Sequence, residues 1–134
     1  MSALTEFLFP APARRSSRAI IGWWEKRRLG YNLAVGTAGL VSLGTIYVVS
    51  ALPPDGSLLP FPWVPILIFG GMANLCYLLG STAELVIEKL WSPKVLPTGP
   101  ALFRIGLTFS VGLALFPTLL VVIGWVIRIV VAVL

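Results

Sequence analysis

Glu84 and Glu88 are the acidic side chains in this 134-residue chain whose placement suggests chemistry. They stand four residues apart in a long apolar segment, so a helix carries both on one face. Two carboxyl groups at that spacing could share a cation, exchange a proton or pair with a base. As a cation site they are poor, because Ca²⁺ and Mg²⁺ ask for roughly six oxygen ligands. The other acids, Glu6, Glu25 and Asp55, lie in different segments. The chain has no histidine. That removes His-ligated haem, His-containing zinc sites, and Ser-His or Cys-His catalysis. Cys76 is the single cysteine, so no internal disulfide forms. Gly70-Gly71 lacks the Lys and spacing of a phosphate-binding loop. The expectation is a protein that is not an enzyme and has no cofactor or metal site. Tyr47, Phe69 and Tyr77 could touch a lipid tail, a quinone or a carotenoid, but no motif supports such a contact.

The two glutamates end a longer polar stripe. Gly70, Asn74, Tyr77, Ser81, Glu84 and Glu88 recur at steps of four and three, which places them along one helix face. The other faces are Ile, Leu, Val, Phe, Met and Ala. A helix that apolar, with one polar edge, turns the edge toward other helices or toward a wet cavity. The stripe is therefore read as a helix–helix contact, with the lining of a pore as the alternative. Arg104 begins the next apolar segment, and an antiparallel hairpin would bring it near Glu84 and Glu88. An ion pair within the chain is expected there.

Composition says what must position these residues. The chain is 57% hydrophobic and 11% charged, against about 45–50% and about 25% in soluble domains. A chain this short cannot enclose that much apolar surface. The fold class expected is an all-α integral membrane protein. Three transmembrane helices, at about 31–52, 64–88 and 103–128, follow a short amphipathic interfacial helix that starts at Ser16 or Ser17 and ends at Gly30. Residues 1–30 form a cytoplasmic tail and interfacial helix, and residues 31–134 the transmembrane domain. Trp23, Trp24, Lys26, Arg27 and Arg28 are expected to anchor that helix among headgroups. Ala34, Ala38 and Ser42 form a small-residue ladder on the first span. Pro117 should kink the third, which is long and runs beyond Arg128 into the apolar stretch Ile129–Leu134.

The net charge of +5 does not point to nucleic acid. Six of the ten basic residues, Arg14, Arg15, Arg18, Lys26, Arg27 and Arg28, precede the first span. With Lys89, Lys94 and Arg104 they load one side of the membrane, and only Arg128 marks the other. Such a bias sets the N-terminus in the cytoplasm, the C-terminus opposite, and anionic lipid headgroups against the basic flank. A bacterial inner membrane fits this pattern. The function expected is a non-catalytic subunit packed into a larger membrane complex, respiratory or photosynthetic for instance, or into a homo-oligomer. Its partners would be other membrane subunits or copies of itself. The alternative is a small pore-forming or ion-conducting oligomer. Reporter fusions test the topology: alkaline phosphatase should be active at the C-terminus and silent at the N-terminus.

Overall fold

A computed structural model describes residues 16–54, 56–91 and 98–134. The expected N-terminal tail, Arg14, Arg15, Asp55 and the Lys94 loop lie outside these residues. The described chain is all helical. It comprises α1 (Ser17–Ala51, 35 residues), α2 (Trp63–Trp91, 29 residues) and α3 (Gly99–Val133, 35 residues). Each is long and apolar enough to cross a membrane. At ~1.5 Å per residue the helices run from roughly 44 to 52 Å, longer than the ~30 Å hydrocarbon core. Their ends therefore reach into the headgroup layers or beyond.

Two elements differ from the sequence expectation. The interfacial helix and the first span are one continuous helix. Ser16 caps its start, its side chain accepting from the Ala19 amide at 3.3 Å, but Gly30 does not stop it. The reason lies in the seam. Ile20, Trp24, Arg27, Tyr31, Val35, Ala38, Ser42 and Val49 are all buried, and most follow one another at steps of three and four. A break at Gly30 would throw half of that seam off the core. Gly30 itself is exposed and meets no demand for a positive φ. On α3, the helix continues through Pro117 to Val133 without interruption.

Cross-helix contacts fix the topology. Trp24 on α1 lies level with Glu84 on α2, and Tyr31 with Ala73. Thus α1 and α2 are antiparallel. Along α3, Phe103 packs near Trp24, Ser110 meets Tyr31, and Thr118 meets Ser42. Trp125 donates to the Pro53 carbonyl at 2.9 Å. Helices α1 and α3 therefore run parallel and stay together along their whole length, and theirs is the most extensive pairing. The turn after α1 carries Gly56 at φ 54°, a left-handed conformation that favours glycine.

Helix α2 is held differently. Its buried residues, Ala73, Tyr77 and Glu84, all lie in its C-terminal two thirds. None of Trp63–Met72 is buried, and Trp63, Leu67 and Ile68 are each more than 60% exposed. The core that results sits toward the start of α1 rather than at its centre. It joins Ile20, Trp24, Tyr31, Val35, Ala73, Tyr77 and Phe103.

Gly80 shows how close the helices approach. A Cβ there would stand 3.0 Å from the Trp24 ring, while one at Gly71 would meet nothing. Gly80→Val is expected to destabilise the fold by about 1–3 kcal/mol through overpacking. Gly71→Val should change stability by less than about 0.5 kcal/mol. Unfolding by SDS in mixed micelles measures both.

Candidate functional site

The polar stripe does not act as a unit. Tyr77 and Glu84 turn into the bundle, at 3% and 2% exposure. Gly70, Ser81 and Glu88 are half-buried, and Asn74 is exposed. The side of α2 that faces its own chain follows Ala73, Tyr77, Gly80 and Glu84, on one edge of the expected stripe. Asn74 and Ser81 fall on the other edge.

The buried edge is a junction of three helices. The Trp24 indole N–H donates to Glu84 Oε2 at 2.5 Å. Gly99, the first residue of α3, closes the other side of the same carboxyl group. A Cβ on Gly99 would collide with both carboxyl oxygens. A side chain at this glycine would force the Glu84 carboxyl group to move, so the close approach favours glycine here. Two turns back along α2, the Tyr77 hydroxyl donates to the Trp24 carbonyl. The Trp24 residue is therefore gripped by α2 at two points, through its side chain and through its backbone.

Aromatic rings fill the space around these bonds. Trp24 meets Tyr77 edge-on with ring centroids 5.1 Å apart, and Phe103 at 6.0 Å. Trp23 meets Trp24 and Phe103 in the same T-shaped manner. Such pairs add about 0.5–1.5 kcal/mol each beyond their burial. The Arg27 guanidinium lies 3.9 Å from the centroid of the Trp23 ring and donates to the Trp23 carbonyl at 3.2 Å. Arg28 pairs with Glu25 at 3.1 Å and stands 5.7 Å from the Tyr77 ring.

A second layer lies deeper. The Tyr31 hydroxyl contacts the Ala73 carbonyl at 3.0 Å and Ser110 Oγ at 2.7 Å. The carbonyl can only accept, so the single phenolic proton goes there and the Ser110 hydroxyl donates to Tyr31. All three helices thus meet again at Tyr31. Farther on, Thr118 donates to Ser42 at 2.8 Å, on the small-residue ladder that lets α1 and α3 approach.

The expected anchor residues divide between bundle and surface. Lys26 is exposed, Trp23 and Arg28 are half-buried, and Trp24 and Arg27 are buried. Arg104 is exposed on α3, its Nε donating to the Pro100 carbonyl at 3.2 Å. Sequence reasoning missed Trp24 as a partner of Glu84, and it missed Gly99, Tyr31 and Ser110. The seam across Gly30 was a signal for Trp24 and Tyr31, since both fall on the same three-and-four spacing as Val35, Ala38 and Ser42. Among the described residues, no three or more His, Cys, Asp or Glu side chains gather as metal ligands would.

Compared with known families, curated proteins and solved structures, the chain matches none. What it does must be read from its own geometry.

The Trp24–Glu84 bond can be isolated by a double-mutant cycle. Trp24→Phe and Glu84→Leu should each destabilise the protein. Their combination should cost about 1–3 kcal/mol less than the sum, the range of a buried hydrogen bond to an acidic group. SDS unfolding followed by far-UV circular dichroism supplies the four free energies; additivity within about 0.5 kcal/mol would show that the bond contributes nothing.

Proposed function

We propose that this chain is a non-catalytic integral membrane subunit that packs into a larger assembly, either a complex of different proteins or an oligomer of itself. The observation that carries the reading is the division of the α2 stripe. Tyr77 and Glu84 are consumed in holding the chain together. Asn74, at mid-span, is turned outward. A polar amide facing lipid is stabilised when a neighbouring helix supplies a hydrogen-bond partner. The same division favours packing over conduction. A lumen shared by several copies would need the stripe outside the bundle, and its most polar buried member is enclosed within one chain.

In this reading the N-terminus is cytoplasmic, the C-terminus lies opposite, and the membrane is a bacterial inner membrane with anionic headgroups at the basic end. The start of α1 acts as the membrane anchor there, with Lys26 and Arg18 exposed to headgroups. A Glu84 or Glu88 pairing with Arg104 belongs to the same end, where Glu84 and Gly99 bring α2 and α3 together. A bend at Pro117 would let the long third helix follow α1.

Extraction in a mild detergent followed by intact-complex mass spectrometry tests the proposal. The expected result is a species heavier than one 14.4 kDa chain, containing copies of it or other subunits. A stable monomer with nothing bound would overturn the subunit reading.

A further inference from the structure

Helix α2 presents a face that its own chain covers only in part, with no buried residue along it. Trp63, Leu67, Gly70, Asn74, Leu78 and Ser81 follow one another at steps of four and three, so they lie along a single stripe. Trp63, Leu67 and Leu78 are 67%, 72% and 47% exposed. A Cβ at Gly70 would meet nothing within 4 Å, so the thinness of the helix there is not taken up by α1 or α3. Asn74 sits in the middle of this face. One amide N–H donates to the Gly70 carbonyl at 3.0 Å. The amide has a second N–H and a carbonyl oxygen as well, and the residue that carries them is exposed. The exposed hydroxyls of Thr37 and Thr45 differ, for each places its one proton on a carbonyl of its own helix.

We infer that a second copy of this chain packs on this face, with the two Asn74 amides hydrogen-bonded to each other across a two-fold axis. The inference rests on the subunit reading and specifies its partner. Three properties select a second copy. A carboxamide carries a donor and an acceptor on one group, so it is its own complement. Two copies inserted with the same topology hold residue 74 at the same depth, so the amides meet without any shift along the membrane normal. No charged residue lies between Trp63 and Ser81, so like faces approach without repulsion. Gly70 supplies the close backbone approach that membrane helix pairs use, and a single polar residue on an apolar seam fixes the register of a helix pair.

The test uses the full chain in liposomes, with Cys76→Ser and one introduced cysteine at a time. Leu67→Cys and Leu78→Cys place the thiol on the proposed face. Leu79→Cys places it roughly 140° from Asn74 around the helix, at a position that is also exposed. Oxidation should yield disulfide-linked dimers from the first two and not from the third. Adding Asn74→Leu to the Leu67→Cys chain should weaken dimerisation about 3- to 10-fold, the range of a hydrogen bond between membrane helices. Asn74→Gln, which keeps an amide, should weaken it less. Cross-linking confined to Leu79→Cys, or unchanged by Asn74→Leu, would overturn the inference. So would an intact complex that holds one copy of this chain among different subunits, and that result would leave the subunit reading standing. A monomer in the same mass measurement would overturn both.

Discussion

A carboxyl group in an apolar bundle must find a partner, because burying it without one costs several kcal/mol. Glu84 finds its partner in the Trp24 indole N–H, a donor with no other polar duty. Much of the architecture follows from that bond. It fixes the register of α2 against α1. It favours Gly99 as the residue opposite, since a side chain there would force the carboxyl group to shift from its place beside Trp24. It sets the start of α3 at the same level, so Phe103 completes the ring cluster around Trp24. The Tyr77 bond to the Trp24 carbonyl then holds the same contact from the backbone side. Tyr31 repeats the arrangement one layer deeper, with one hydroxyl serving both α2 and α3.

Because these bonds gather near one end, the three helices are not equal partners. The α1–α3 pair continues past the aromatic layer through Ser42–Thr118 and on to Pro53–Trp125. Helix α2 has no counterpart to those outer contacts among its buried residues. It is fastened at its C-terminal part and offers its opposite part to its surroundings. In a bilayer, apolar side chains on such a surface are solvated by lipid and ask for nothing. Asn74 is different in kind, for it places a polar amide on that exposed surface.

Much of this was legible in the sequence. Hydropathy and length marked three spans, since long apolar runs with few charges have few other solutions. The polar stripe on α2 was visible from spacing alone. Its division was not, because Tyr77 and Asn74 differ by a small rotation around one helix. Only the position of α1 decides which of them is covered. Trp24 read as a headgroup anchor because tryptophan beside basic residues commonly is one. Its burial depends on Glu84, sixty positions away, and no local pattern carries that pairing. Gly30 read as a helix end because glycine often is one; the seam of packed side chains on both sides of it outweighed the local preference. Gly99 gave no signal, for its role is to leave room for a side chain from another helix.

The claim on which the account stands is that Trp24 donates to a buried carboxyl group where three helices meet. Hydrogen–deuterium exchange of the indole N–H groups, followed by two-dimensional NMR of the protein in lipid nanodiscs, tests it directly. The Trp24 signal can be identified by its loss in Trp24→Phe. The account predicts that this proton persists longer than that of Trp63, which lies exposed at the start of α2, and that Glu84→Leu shortens its lifetime. Exchange of the Trp24 proton as rapid as that of Trp63, and unaffected by Glu84→Leu, would contradict it.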